Sequence, residues 1–212
     1  MLYLDEVFVS IQGESTDAGL PCIFVRLFGC NVKCSYCDQP QKPCDRKRIS
    51  LERLVDMIHS YRLKYVCITG GEPLIQEEVY PLIFELASED YKISIETNGC
   101  VPIEFHSPRG KYKYIMDVKC PSSGVSHKNV YTNLANHSSN DEVKFVIADE
   151  KDYKFAKRIL RSYPTCAKIL FSPMFSPEGE PVISQELVDW IIQDGLYNAR
   201  VQIQLHKILQ VK

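Results

Sequence analysis

The feature that most limits how this chain can fold is an alternation of short β-branched runs with stretches of helical periodicity. The runs read IFVRL (23–27), YVCIT (65–69), KISIE (92–96), YIMDV (114–118), VKFVI (143–147), KILFS (168–172) and VQIQL (201–205). Between them, Ser50 can cap a helix that turns Leu51, Leu54, Val55 and Ile58 to one face, and Phe155, Ile159 and Leu160 repeat the pattern. Ser184 opens SQELVDWIIQDG, with Leu187, Val188, Ile191 and Ile192 inward and Gly195 as a stop. The segment 75–88 also reads as helix, with Pro81 either kinking it or marking its true first turn. Strands alternating with helices predict an α/β fold, a mostly parallel sheet covered by helices. The chain has 212 residues, 45% hydrophobic and 25% charged, with no repeat or low-complexity linker, so one domain over residues 1–212 is expected.

In such folds the loops at the carboxyl ends of the strands build the active site. The unusual polar motifs fall there: GCNVKCSYCDQ after the first run, GGEP after the second, TNGC after the third, KCPSS after the fourth and SPMFSPEG after the sixth. Glycine and proline punctuating turns would account for any one of these loops, but not for their sharing a rim. The first loop sets Cys30, Cys34 and Cys37 at Cys-x3-Cys-x2-Cys spacing. A structural zinc site closes with four protein ligands, whereas a 4Fe-4S cluster given three thiolates keeps one iron open. On spacing alone, a zinc loop with a fourth ligand from elsewhere is the alternative.

Nine cysteines and a start, MLYLDEVFVSIQGES, with no secretory leader point to a reducing, cytoplasmic setting with free thiols and cluster ligands. Cys22, Cys67, Cys100 and Cys166 lie in apolar or strand-like surroundings where cysteine acts as a small hydrophobe, with Cys22 and Cys67 expected in the core. Cys44 and Cys120 lie in polar loops and could be reactive or spare ligands. A net charge of -2 gives no footprint for nucleic acid, and no apolar run is long enough to span a membrane. The basic group Lys42, Arg46, Lys47 and Arg48 could steer an acidic electron donor, although a short charge run is more often a solvated loop.

The cysteine triad, TGGEP (69–73) and ETNG (96–99) together resemble the radical S-adenosylmethionine (SAM) enzymes. SIQGE (10–14), FVRLFGCN (24–31), DVKCPSS (117–123), KFVI (144–147) and QLHK (204–207), in that order over nearly the whole chain, are similar to the 7-carboxy-7-deazaguanine synthase family of the queuosine and deazapurine pathways. The resemblance implies an incomplete (β/α) barrel, a homodimer, and a 4Fe-4S cluster on Cys30, Cys34 and Cys37. It further implies that S-adenosylmethionine chelates the open iron, so that the reduced cluster cleaves it to a 5'-deoxyadenosyl radical. The implied reaction is radical ring contraction of 6-carboxy-5,6,7,8-tetrahydropterin to 7-carboxy-7-deazaguanine with loss of ammonia, with a flavodoxin-like electron donor.

Carried over by position, the resemblance implies cofactor contacts from Tyr36, Cys37 and Asp38, from Gly70, Gly71 and Glu72, and from Gly99. Cys120, Pro121 and Ser122 together with Ser172, Pro173, Met174 and Phe175 would complete that pocket. Gly70 and Gly71 suit a loop whose backbone must approach the methionine moiety closely. For the substrate, Ile11, Gln12, Gly13 and Glu14 would read the ring edge, Arg26 offers a fork to the carboxylate, and Thr97 and His206 are further candidates. Without the motif context Arg26 would read as a structural ion pair and His206 as a sheet-end histidine.

Three positions depart from the family pattern. The family has Cys-Asp-Thr where this chain has Cys37-Asp38-Gln39, and the threonine helps hold a magnesium ion that organises the substrate carboxylate. An amide at Gln39 would shift the ion, add a water, or replace the ion by a hydrogen bond to the substrate. Ser15 and Cys100 stand where glycine and threonine are usual and are conservative in size. Two other readings compete. Another small radical SAM enzyme, such as an activase acting on a protein glycine, would need a protein-docking surface, and SIQGE with QLHK argues against it. A non-catalytic iron-sulfur carrier or zinc-closed module would need a fourth ligand, or would not bind S-adenosylmethionine, and GGEP with ETNG on one rim argues against that.

Overall fold

The computed structural model describes residues 1–39, 46–106, 110–176 and 179–212, so Lys42 and Cys44 lie outside the described residues. The strands are β1 (Leu2–Ile11), β2 (Pro21–Leu27), β3 (Lys47–Ile49), β4 (Tyr65–Gly70), β5 (Lys92–Thr97), β6 (Tyr112–Asp117), β7 (Glu142–Ile147), β8 (Lys168–Pro173) and β9 (Ala199–Val201). They form one nine-stranded sheet in the order β3-β1-β2-β4-β5-β6-β7-β8-β9. From β2 through β9 neighbouring strands run parallel, while β1 lies antiparallel to β2 and β3. The two ends, β3 and β9, are not joined, so the α/β sheet is an open, incomplete barrel.

Local chemistry explains the helices: α1 (Leu51–His59), α2 (Val79–Ser88), α3 (Glu150–Ser162), α4 (Gln185–Gln193) and α5 (Leu205–Leu209). Ser50 caps α1 by accepting from Arg53 N, and Leu54, Val55 and Ile58 are buried. Asp149 caps α3 in the same way through Asp152 N. Pro81 sits in the first turn of α2, where its missing N–H has no intrahelical partner to lose, so the helix starts at Val79 and is not kinked. The β6-to-β7 crossover has three short 3-10 turns, Pro121–Ser123, Ser126–Lys128 and Tyr131–Asn136, in place of an α-helix.

The structure corrects several expectations. The run 201–205 is strand only to Val201; Gln202 N still bonds Phe171 O, but Leu205 N donates to Gly13 O, which draws the chain off the sheet into α5. Strands β1 and β3 were not expected; Asp5 and Glu6 break the apolar alternation of β1 at a register shift between Leu4 and Glu6. Ser184 makes no side-chain cap, and Ile192 is 67% exposed, because α4 docks through Leu187 and Ile191 with Trp190 against Tyr153. Cys166 is exposed and Cys120 fully buried, the reverse of expectation, while Cys22 and Cys67 are core residues. Arg46 lies over the Tyr3 ring.

Period-two alternation divides the sheet into two faces. Ile23, Val25 and Leu27 of β2, Val66 and Ile68 of β4, Ile93 and Ile95 of β5, Tyr114 of β6 and Phe145 of β7 join the helices in the main core. The alternate residues form the concave face: Phe24 and Arg26, Cys67 and Thr69, Glu96, Asp117, Lys144 and Ser172. One half of this face is plugged by the loop after β1. Lys113 Nζ lies 2.5 Å from both Asp17 and Glu142, Thr16 bonds Glu142, and Tyr65 Oη donates to Asp17. That plug is the floor on which Gln12, Gly13 and Glu14 rest.

Candidate active site

Above the floor, towards the carboxyl ends of the strands, opens a cavity of about 880 Å³. Parallel pairing aligns the ends of β2 and β4, with Leu27 opposite Gly70, so the loops that follow them meet. Gly71 N donates to Leu27 O and Glu72 N to Gly29 O. A Cβ at Gly71 would stand 2.2 Å from Gly29 O and 2.8 Å from Cys30 Cβ, and one at Gly70, where φ is +145°, 2.1 Å from Leu27 O. Glycine is therefore required at both positions by backbone-to-backbone approach.

The cysteine loop is held by its neighbours. Asn98 Nδ2 donates to Asn31 Oδ1, Asn31 Nδ2 to Cys100 O, and Ser35 bonds both Ser122 O and Ser123 O. Cys30, Cys34 and Cys37 all line the cavity, and no fourth cysteine among the described residues does. Burial raises the Cys34 thiol, and the neighbouring Asp117, Cys30 and Cys37 raise it further against the pull of Lys119. Among the described residues no three His, Cys, Asp or Glu side chains are gathered closely enough to hold a metal, but three cysteines lining one cleft with no fourth match in number a 4Fe-4S cluster with an open iron better than a closed zinc site.

Glu72 ties this rim together without lining the cavity. Fully buried, it accepts from Thr97 Oγ1, Leu74 N and Asn98 N, and burial pushes its carboxyl up to about 7 against those bonds. Gly99, Cys120, Pro121 and Ser122 also lie outside the lining. Cys120 is inert by environment, since burial drives its thiol well up. Tyr36, Asp38, Gln39, Ser172, Pro173, Met174 and Phe175 do line the cavity, and Asp38 pairs with Lys207 at 3.5 Å. The Tyr36 hydroxyl and Asp117 Oδ1 are buried with no hydrogen-bond partner among the described residues, two polar atoms left for a ligand.

On the floor side, Ile11, Gln12, Gly13, Glu14, Arg26, Thr97 and His206 line the same space. Several are already engaged. Gln12 Nε2 reaches Glu96 Oε1 at 3.4 Å, its Oε1 accepts from Glu14 N, and the Thr97 hydroxyl belongs to Glu72. Arg26 Nε donates to Glu6 at 3.0 Å with the guanidinium over Phe8, an ion pair that leaves the terminal nitrogens without other protein acceptors among the described residues. His206 packs so closely on Gly13 that a Cβ there would meet Nδ1 at 1.9 Å.

The motif residues not singled out as site residues carry the buried charge. Lys144 Nζ lies 2.5 Å from Glu14 Oε2 and 3.7 Å from Asp117 Oδ2, and Lys119 Nζ lies 2.9 Å from the same Asp117 oxygen. Gln204 and Gln202 donate to the two oxygens of Glu14, and Thr69 donates to Glu96. Burial alone would raise the Glu14 carboxyl, but Lys144 and the Gln204 bond bring it down to about 2. Burial alone would lower both lysines; Glu14 for Lys144 and Asp117 for Lys119 instead hold them well above their ordinary value. KFVI, DVKCPSS and ETNG contained these residues, but only the parallel register, with Asp117 opposite Lys144, makes them neighbours.

The profile of the Radical SAM superfamily matches residues 25–162. A 7-carboxy-7-deazaguanine synthase of Methanospirillum hungatei is 40% identical over 96% of this chain and 83% of its own length. One from Chlorobaculum tepidum is 36% identical over 98% and 94%. Among solved structures, QueE from Escherichia coli superposes with a TM-score of 0.77 at 24% identity, covering 97% of this chain and 94% of that one. SuiB of Streptococcus suis, solved with S-adenosylmethionine bound, superposes at 0.57 and 12% identity over 82% of this chain and 48% of its own. These structural likenesses concern the fold. No helix among the described residues is long and apolar enough to cross a membrane.

Proposed function

Because this chain belongs to the radical SAM superfamily and, within it, to the 7-carboxy-7-deazaguanine synthases, we propose that its cavity converts 6-carboxy-5,6,7,8-tetrahydropterin to 7-carboxy-7-deazaguanine with loss of ammonia. The observation that carries this reading is that one cavity holds the three thiols at its rim and Glu14 and Arg26 at and above its floor. A 4Fe-4S cluster and S-adenosylmethionine, bound together, supply the 5'-deoxyadenosyl radical. Cys30, Cys34 and Cys37 would hold the cluster. Gly70 and Gly71, whose missing side chains let this loop close on the cysteine loop, form the cavity wall beside which the methionine moiety would lie, and Tyr36 and Asp117 offer their free polar atoms to the cofactor. Glu14 accepts from the donor edge of the pterin ring, and the terminal nitrogens of Arg26 take its carboxylate. Apolar walls from Phe24, Ile115, Val146 and Met174 exclude water from a reactive radical.

The same reading takes residues 1–212 as one domain, working in the cytoplasm as a homodimer with a flavodoxin-like electron donor. Among the described residues of the lysine and arginine group near β3, Arg46 is stacked on Tyr3, while Lys47 and Arg48 are exposed on the edge strand, where they could steer such a donor. At Gln39 we place an amide contact to the substrate in exchange for magnesium. The overall test is anaerobic reconstitution followed by turnover with the carboxypterin. The expected result is consumption of the pterin, release of ammonia and formation of the deazaguanine acid. S-adenosylmethionine cleavage that leaves the pterin untouched would point to another radical substrate, and zinc in place of iron would end the reading.

A further inference from the structure

We propose that Lys144 is a positioning residue for substrate recognition, acting through Glu14, which it holds ionised and aimed at the donor edge of the bound ring. The inference rests on the pterin reading of the cavity. Its physical basis is the geometry around one carboxylate. Glu14 is nearly enclosed, and each of its oxygens has a protein donor: Gln204 Nε2 at 2.6 Å on Oε1, and Lys144 Nζ at 2.5 Å with Gln202 Nε2 at 3.3 Å on Oε2. Gln202 also accepts from Ser15 N, and Leu205 N donates to Gly13 O, so the segment 202–205 clamps the turn that carries Glu14. Oε1 therefore retains a lone pair for one more donor, while Oε2 is saturated.

Only one donor in this clamp carries a permanent charge. The titratable groups that bear on Glu14 are Lys144 from β7 and His206 from α5; behind Lys144 stand Asp117 of β6 and Glu96 of β5. Removing Lys144 would leave a buried carboxylate facing two amides, and burial would then favour its protonated form. A protonated Glu14 carries an O–H and keeps only a neutral carbonyl acceptor, so it loses the charge-assisted bond to the N–H edge. The lysine thus sets the polarity of the site: a ring edge presenting N–H or NH2 groups is taken, and one presenting a carbonyl is refused.

The consequence is read in three ways. In the apoprotein labelled with carboxyl-13C glutamate, the Glu14 resonance, identified by its loss in Glu14→Gln, should be ionised at pH 4.5 in the native chain and at least half protonated there in Lys144→Met. This arm needs no ligand. Carboxypterin affinity, measured by calorimetry from about pH 4.5 to 7, should fall in Lys144→Met in step with the protonated fraction of Glu14, by roughly 10- to 100-fold where the carboxyl is fully protonated, the range for a lost hydrogen bond to a charged group, and Lys144→Arg should recover most of it. In a Glu14→Gln background, which also spares the fold an unpaired buried charge, Lys144→Met should change affinity less than twofold. The proposal is overturned if Glu14 stays ionised without the lysine, if pterin affinity is unmoved, or if the two substitutions multiply their losses. Failure of the native chain to bind the pterin would strike the functional reading, while the resonance measurement still decides the role of Lys144.

Discussion

Replacing Gly71 with alanine tests how tightly the rim is built. Gly71 needs no left-handed backbone, so the substitution costs nothing in conformation, and its whole effect is steric. The new methyl would sit 2.2 Å from Gly29 O, 1.2 Å short of the 3.4 Å at which ordinary contact begins, and 2.8 Å from Cys30 Cβ. Both obstacles belong to or adjoin the backbone and cannot swing aside. Upstream, pairing of Leu27 with Gly70 fixes the strand ends, so the movement must fall on Gly29 and Cys30. That shift breaks the bond from Glu72 N to Gly29 O. Overpacking of about 1–3 kcal/mol plus about 1 kcal/mol for the bond gives about 2–4 kcal/mol. For a chain this long that lowers Tm by roughly 5–15 °C. The chemical effect is larger than the thermal one: a sulfur carried about 1 Å from its place exceeds the ~0.2 Å tolerance of metal ligation several times over. Apoprotein melting by fluorimetry, with iron and sulfide counts and the electron paramagnetic resonance signal after anaerobic reconstitution, checks both parts. An alanine variant that binds a full cluster with the native signal would refute the argument that Gly71 sets the position of Cys30.

Three further outcomes follow from the site. Arg26→Lys should weaken carboxypterin binding by roughly tenfold and S-adenosylmethionine binding by less than twofold, because a fork becomes a point charge; equal losses in calorimetry would assign Arg26 to its pair with Glu6 alone. If Gln39 stands in for magnesium, chelated native enzyme keeps most of its activity and Gln39→Thr becomes dependent on added magnesium; a native enzyme dead without the ion and fully restored by it reverses that assignment. Glu14 ionises at about 2 in the fold against 4.5 as its ordinary value, so its contribution is complete above pH 4.5 and is lost as the pH falls towards 2, up to about 3 kcal/mol. Glu72, pushed up to about 7, works in the opposite sense, its contribution declining as the pH rises from 4.5 to about 7. Urea midpoints at about pH 5 and pH 3 should therefore converge in Glu14→Gln, and an unchanged difference would mean that other carboxylates carry the acid limb.

What could be read from the sequence was whatever chemistry is local. The triad spacing, the paired glycines of GGEP and the β-branched runs each state their purpose within a few residues, and the cap at Ser50 was legible for the same reason, whereas Pro81 left a kink and a first turn both open until the start of α2 at Val79 decided for the turn. Strand β1 was not, because Asp5 and Glu6 interrupt its alternation and its reason for being a strand is the partner β2. The helix at Leu205–Leu209 was hidden likewise, since a carbonyl far away in sequence, on Gly13, ends the strand before it. Cys120 looked like a polar-loop thiol, yet the 3-10 turn beginning at Pro121 folds it inward. The largest omission was Lys144 with Asp117 and Lys119. A lysine in a β-branched run resembles a solvated strand residue until the curvature of the sheet puts that face inside a cleft.

The clamp on Glu14 also bears on the order in which the molecule matures. Its donors Gln202 and Gln204 are 188 and 190 residues away in sequence, whereas the strands beneath are joined by short crossovers. Closing so long a loop is favourable only once the intervening sheet has shortened the distance the chain must search. The barrel wall should accordingly form first, with its apolar lining open, and the pocket be finished last, after the 202–206 segment has emerged from synthesis. Pulse-labelled hydrogen exchange would show this as protection of the Leu205 amide lagging behind that of β6 and β7. Until then the nascent protein has a place for its cysteines but none for its substrate.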